Sequence, residues 1–299
     1  MERVDKKKSL YADMSMFLVA ILWGGGFVAV KDALDNITPM YIMAARFGIS
    51  FILMLIIFWK RIKKTNKQDI IAGTVVGIFL FTAFSAQTIG LQYTTAGKQA
   101  FLTGTNVVIV PFLVWILHKK SPDRYTVIAA FLSLIGIGLL TVQGSLSVNV
   151  GDLLTLLCAL LFAAHIVSVG YYTEKTDPFI LATIQLGAAA VFSVISALIF
   201  ESAPTSLNLG SVWAVCYLGI FSTMVAFLIQ NVAQKYTYST HAAVILCTES
   251  VFGSIFAVIF LGDRFTVEMI LGCLLIFAAI LTSETKWKFL RRIDNITLK

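Results

Sequence analysis

Charge is what this chain has least of. Only 13% of its 299 residues are Asp, Glu, Lys or Arg, against about 25% in soluble domains. Hydrophobic residues make up 58%. A soluble core cannot hide that much apolar surface, and lipid can. Cysteine is scarce as well. Cys158, Cys216, Cys247 and Cys273 all fall inside apolar runs, with no CxxC spacing. That pattern speaks against a disulfide framework or a zinc site and for small buried hydrophobes. There is no HExxH, no GxSxG and no pair of aspartates in adjacent apolar runs. A polytopic membrane enzyme should show a clustered nucleophile and base or a metal set, so an enzyme is the weakest reading. Gly97-Lys98 hints at a phosphate-binding loop, but Gln99 follows and position 92 is Gln. The phosphate-cradling pattern is absent, and no cofactor is expected. Transport, if that is the function, would run on a gradient or on a partner.

The pI near 9.2 does not point to nucleic acid, because the basic residues cluster in a few short loops. Ten apolar stretches can be placed from runs and breakers: 13–32, 39–59, 69–92, 96–117, 125–143, 151–172, 178–200, 210–234, 239–261 and 266–285. The connections are short and leave no room for a soluble domain. Lys6-Lys7-Lys8 before the first stretch resembles a signal peptide, yet the run to Val30 is long and no A-x-A follows it; it reads as a retained first helix. With the N-terminus in the cytoplasm, nineteen of the 23 lysines and arginines fall on cytoplasmic segments; the others are Lys31, Arg46, Lys98 and Arg264. The excess of basic residues on cytoplasmic loops then sets both termini inside.

One stretch organises the rest. His241–Thr266 holds about twenty mostly apolar residues, the length that crosses a bilayer, with one carboxylate, Glu249, inside it. An acid at that depth costs about 3 kcal/mol on insertion scales, so it should face protein or water. A weaker copy at 98–126 carries Asn106 and ends in Asp123-Arg124-Tyr125-Thr126, beside Asp263-Arg264-Phe265-Thr266 in the later copy. Pro39 and Arg46 recur 139 positions later as Pro178 and Gln185, and the same offset sets Trp23 on Phe162 and Gly26 on His165. Tyr93-Thr94 recurs as Tyr236-Thr237 at an offset of 143. Five stretches per half is an odd number, so the second half enters from the other side. The expected fold is all-α: ten transmembrane helices as two inverted five-helix repeats, residues 1–145 and 146–299, the architecture of many secondary transporters.

At 1.5 Å per residue, His165, Gln185 and Glu249 form a polar layer in the inner half. Their counterparts Gly26, Arg46 and Asn106 lie about 10 Å from the outer face. A direct Arg46–Glu249 salt bridge is not what these depths favour. Each residue has two readings. Glu249 marks a substrate or proton path, or is a structural acid satisfied by a neighbour. Arg46 touches substrate or a gate, or snorkels to the interface. His165 serves proton traffic, or is packed and hydrogen-bonded. Gln87, Gln230 and Asn231 line a cavity, or bond between helices. Trp23 and Tyr93 line it, or pack. Gly24-Gly25-Gly26 allows close helix approach, or provides a hinge or bare wall. Gly73 and Gly77 form a small-xxx-small pattern, too common to decide anything.

Trp23-Gly24-Gly25-Gly26-Phe27 resembles the W-G-x-x-F opening of the EamA-type members of the drug/metabolite transporter superfamily. Arg46, GLQYTTAGKQAFL at 90–102 and ESVFGSIFAVIFLGDRFT at 249–266 resemble that family too. The resemblance covers nearly the whole chain. Ser250 stands where the family often has proline, which removes the usual cause of a kink beside Glu249. Asp263 replaces the usual Glu and keeps the charge. The resemblance implies ten helices around a central cavity, alternating access and movement of a small metabolite across the plasma membrane, often export of amino acids or related compounds. Expected partners are that small molecule and the bilayer, with the chain a monomer or homodimer. A lipid-linked substrate flippase is the alternative, and would want more basic residues near the cavity than Arg46 and Lys31. Trp23, Gly26, Arg46, Gln87, Tyr93, Asn106, His165, Gln185, Gln230 and Glu249 are the candidate substrate or gating residues, Glu249 and His165 the candidate proton-coupling pair.

Overall fold

The computed structural model describes residues 6–94, 99, 102–119, 121–141, 149–204, 207–261 and 266–285. Among these, every regular element is helical. Gly97-Lys98 and the Asp263-Arg264 end of the ninth stretch lie outside the described residues. The first half contains α1 (Lys6–Leu34), α2 (Pro39–Ile62), α3 (Lys67–Gly90), α4 (Asn106–His118) and α5 (Arg124–Thr141). The second contains α6 (Val150–Thr173), α7 (Pro178–Phe200), α8 (Leu209–Tyr217), α9 (Ala226–Gln234), α10 (Ser239–Leu246), α11 (Glu249–Leu261) and α12 (Val267–Thr285). A π-helical segment, Leu218–Val225, joins α8 to α9 in one continuous rod. Seven helical stretches are long and apolar enough to cross a membrane, and three shorter apolar helices accompany them, at Leu102–Leu117, Arg124–Leu139 and Val267–Ser283.

The helix starts follow local chemistry. Pro39 and Pro178 each open a helix at its first turn, where the missing N–H costs nothing. Asn66 with Asp69, and Asn149 with Asp152, form reciprocal capping boxes on α3 and α6. Side chains such as Ile56, Ile57, Leu198, Ile199, Leu274 and Phe277 are exposed, as helix faces turned to lipid require.

The ninth stretch is not one unbroken helix. It stops at Leu246, turns through Cys247-Thr248 and restarts at Glu249, with Ser250 and no proline at the break. Thr248 Oγ donates to Ile245 O at 2.6 Å, while Val251 and Phe252 N–H donate to Thr248 O at 2.9 and 3.1 Å. The fourth stretch breaks the same way. Residues 102–104 are helical, Thr105 turns, and α4 restarts at Asn106. Thr105 Oγ donates to Leu102 O at 2.6 Å, and Val108 and Ile109 N–H donate to Thr105 O at 3.0 and 3.3 Å. Every one of these partners sits 143 positions before its counterpart. A threonine hydroxyl that takes a backbone carbonyl loosens a helix without proline.

Three helix pairs have readable directions. Met40 N–H, at the start of α2, donates to the Glu201 carboxylate at the end of α7 (2.9 and 3.1 Å). Arg61, at the end of α2, pairs with Asp177 at the start of α7 (2.8 Å); α2 and α7 are antiparallel. Asn36, in the turn just past the end of α1, bonds Ser211 at the start of α8. At the other end of α1, the Lys8 ammonium sits 5.9 Å from the Tyr236 ring, beyond α9. The α1 and α8–α9 rods are therefore antiparallel as well. So are α3 and α6, since Ala72 and Val76 pack with Val169 while Gly90 faces Gly151.

Small residues set how closely these rods approach. A Cβ on Gly73 would lie 2.5 Å from Ile184, and one on Gly77 would lie 2.7 Å from both Ala188 Cβ and Gln185 O. These two glycines are what let α3 press against α7.

Candidate functional site

The π-helical segment organises one wall of the site. A π turn lets carbonyls leave the regular ladder, and such turns gather at functional positions. Here Ser222 O accepts from Trp23 Nε1 at 3.0 Å, and Gly219 O accepts from Ser50 Oγ at 2.6 Å. Thr223 Oγ accepts from Arg46 Nε at 2.9 Å. One irregular turn thus holds α1 and α2 in place and orients the buried arginine.

Between the halves lies a cavity lined by Trp23, Gly26, Phe27 and Val30 of α1, Arg46 of α2 and Phe84, Gln87 and Thr88 of α3. The first broken stretch adds Gln99, Thr103, Gly104 and Asn106. The second half adds Phe162, His165 and Ile166 of α6, Leu218, Ser222 and Gln230 of the eighth stretch, and Leu246, Cys247 and Glu249 at the other break. The space open to the centre of a water-sized molecule is about 70 Å³, several times the roughly 10–15 Å³ one buried water requires.

Four aromatic rings cross the middle of the molecule. Trp23 meets Phe227 with ring centres 5.3 Å apart, Phe227 meets Phe84 at 6.0 Å, and Phe84 meets Phe162 at 5.0 Å. Trp23 corresponds to Phe162 and Phe84 to Phe227 under the two offsets, so the row reads the same from either end. Tilted and edge-on pairs of this kind are favourable beyond the area they bury.

Arg46 is 2% exposed. Its guanidinium carbon sits 4.5 Å from the centre of the Phe84 ring, a cation–π contact. No ion pair joins it to Glu249 or to any other acid among the described residues. Glu249 is half-buried at the first turn of α11, where the partial positive end of the helix favours an acid. His165, 1% exposed, has Nε2 2.9 Å from Gln185 Oε1 and lies edge-on to Phe227. With that oxygen accepting, Nε2 carries the proton, and in a neutral ring Nδ1 is the free acceptor. The Gln87 amide donates to Thr103 Oγ at 3.5 Å, and the Gln87 backbone carbonyl accepts from Gln99 Nε2 at 2.6 Å. Gln230 donates to Gln234 Oε1 at 2.9 Å, and Gln234 donates on to Ile166 O at 2.9 Å.

Eight of the ten residues singled out from the sequence line this one cavity: Trp23, Gly26, Arg46, Gln87, Asn106, His165, Gln230 and Glu249. The two polar layers, assigned to opposite depths, open on the same space. Two residues do not line it. Gln185 is fully buried behind His165, its amide turned to the imidazole. Tyr93 sits in the turn past the end of α3 and is 58% exposed, because the helix ends before it can face inward. The glycine run divides by position. Gly24 lies against the Phe252–Gly253 backbone, a packing contact, whereas Gly26 is bare cavity wall beside Ser222. Asn231 donates to Phe227 O in its own helix and stays off the cavity. Sequence reasoning missed Gln99, Thr103 and Thr223. The polar residues around the two breaks were the available signal for Gln99 and Thr103.

The family model for the "EamA-like transporter family" matches twice, over residues 10–142 and 149–284. An "uncharacterized transporter" of Archaeoglobus fulgidus is 35% identical over 274 residues, spanning 92% of this chain and 86% of the relative. The "uncharacterized transporter YyaM" of Bacillus subtilis is 27% identical, spanning 89% and 90%. A solved crystal structure aligns with a TM-score of 0.79 over 94% of this chain and 98% of its own, at 18% identity, a likeness of fold. The duplicated apolar stretches, the polar cavity between them and these matches converge on one conclusion: the chain belongs to the EamA-like transporter family.

Proposed function

We propose that the chain is a secondary transporter that moves a small metabolite, an amino acid or a related compound, across the plasma membrane by alternating access, in the direction of export. The observation that carries this reading is the central polar cavity built from equivalent positions of both halves. Ten helices would form two inverted five-helix repeats with both termini in the cytoplasm. The antiparallel pairing supports the inversion: α2 and its own counterpart α7 run in opposite directions. The pair of α1 with α8–α9 likewise mirrors the pair of α6 with α3. In that orientation the lining of α1, α3 and α4 would lie in the outer half of the membrane and His165, Gln230 and Glu249 in the inner half.

Glu249 is the proposed coupling group and His165 its modulator. Glu249 shares the cavity with His165, Arg46 and Cys247, and Cys158 lies close by. An intramembrane acid on a cavity wall can take up a proton on one side and release it on the other as access alternates. The test is flux into proteoliposomes with and without an imposed pH gradient. Wild type should accumulate substrate with the gradient. Glu249→Gln should keep binding and downhill exchange while losing gradient-driven accumulation. Wild-type flux that ignores the gradient would remove the proton assignment and leave Glu249 a recognition residue.

A further inference from the structure

The two halves treat one pair of equivalent positions differently, and the difference outlines a subsite. In the second half, position 165 is a histidine whose ring nitrogen is bonded at 2.9 Å to Gln185. Gln185 is fully buried and off the cavity, so the imidazole alone faces it from that pair. In the first half the equivalent positions are Gly26 and Arg46. Gly26 offers no side chain, and both residues open on the cavity. In the place that an imidazole takes beside Gln185, residue 26 puts no side chain beside Arg46, and the nearest atoms to a Cβ there belong to Ser222 and Leu218.

Arg46 also lacks what a buried cation needs. Its Nε bonds a neutral hydroxyl and its guanidinium rests on the Phe84 ring, but no carboxylate of the described residues pairs with it. A cation removed from water without a counter-charge is costly, and a guanidinium presents further donors in a planar fork. A carboxylate matches that fork with two parallel hydrogen bonds and is about as wide as the imidazole that fills the equivalent place.

We propose that Gly26 and Arg46 form an anion subsite for the carboxylate of the transported molecule, and that the His165–Gln185 pair is the same subsite filled internally. One cavity then takes one carboxylate. This rests on the transport reading for its occupant but not for its chemistry. Gly26 is the specificity-determining position, because any side chain there competes with substrate for the space before Arg46. A Cβ at 26 would lie 2.8 Å from Ser222 Oγ, a hydroxyl that can rotate away, so substitutions should be tolerated by the fold.

The test is phenylglyoxal modification of Arg46 in the full-length protein, read by peptide mass spectrometry. The probes are the common L-amino acids and simple 2-keto acids, each beside its primary amide. At least one carboxylate should slow Arg46 modification by about tenfold or more while its amide does not. Gly26→His should abolish that protection, and Gly26→Ala, the milder variant, should weaken it severalfold. Amides that protect as well as acids, no acid that protects, or full protection retained in both variants would each overturn the subsite. Proteoliposome flux separates this from the transport reading. Protection without flux of the protecting compound leaves the subsite and removes that compound as cargo. Flux of a compound without a carboxylate, unchanged in Gly26→His, leaves transport and removes the subsite.

Discussion

The two halves of this chain are alike in backbone and unlike in charge. At the breaks, Thr105 and Thr248 make the same bonds at the same spacing, so the duplication extends to the detail of how a helix is interrupted. At other equivalent positions the halves part: Asn106 stands against Glu249, Arg46 against Gln185 and Gly26 against His165. The first half brings a cation and a glycine, the second an acid and a hydrogen-bonded polar pair. Repetition supplies an architecture with a cavity between its halves. The divergence decides what is held there, because a cavity built from two identical halves would carry its charges in duplicate.

Packing offers the harshest way to break the comparison. In the first half, α3 approaches α7 through Gly73 and Gly77; the equivalent positions in the second half are Cys216 and Ile220. A side chain at Gly77 meets the backbone of Gln185, which cannot yield. Gly77→Leu is expected to cost upwards of about 3 kcal/mol, the upper range for overpacking, and to abolish recovery of monodisperse protein on size exclusion. On the same kind of helix, a Cβ added to Gly48 would meet nothing within 4 Å, so Gly48→Ala should leave recovery unchanged. Equal recovery of both variants would contradict the close approach of α3 to α7.

Arg46 and Lys31 sharpen the contrast between a buried and an exposed cation. Arg46→Ala should reduce transport by about tenfold or more while expression persists, the scale of one lost charge-assisted contact of roughly 1.5–3 kcal/mol. Lys31 is exposed at the end of α1, and Lys31→Ala should change flux little. Equal loss in the two variants, or none in either, would remove Arg46 from the site. A matching contrast holds for Asn106→Ala against Glu249→Gln. Only the second should remove dependence on a pH gradient, measured as the ratio of flux with and without it.

How much of the molecule is legible in its sequence depends on the kind of interaction. The apolar stretches and their starts follow from local composition and from signals such as Pro39, Pro178 and Asn66, and the duplication follows from spacing. The breaks at Thr105 and Thr248 escape because threonine is an ordinary residue inside a membrane helix. It interrupts one only when its hydroxyl captures a carbonyl, which depends on the packing around it. The π-helical segment escapes for a similar reason, since its freed carbonyls are held by Trp23 and Ser50, more than 160 positions away. Depth along an idealised rod assigns Arg46 and Glu249 to separate layers, but a cavity runs through depth and joins them. Spacing puts Gln185 on the cavity as the counterpart of Arg46; its amide is instead taken up by His165, a contact that no spacing rule reveals.

The smallest effect concerns the breaks themselves. Thr105→Val and Thr248→Val keep shape and remove one hydroxyl each. The lost bond, to Leu102 O in the first case and to Ile245 O in the second, runs 2.6 Å in both. A net intramolecular hydrogen bond is worth about 0.5–1.5 kcal/mol, so each substitution should lower stability by a similar small amount. If the breaks are equivalent structures, the two losses should agree to within about 0.5 kcal/mol, the usual margin for independent sites. Function should respond unequally. A straightened helix at Thr248 moves the carboxylate of Glu249, whereas one at Thr105 moves the neutral amide of Asn106. Thermal unfolding in detergent gives the first comparison and pH-gradient-driven flux the second. Equal stabilities with a larger flux defect for Thr248→Val support one repeated break serving two different side chains. Stability losses that differ severalfold would show that the two threonines, despite matching bonds, do not hold equivalent structures.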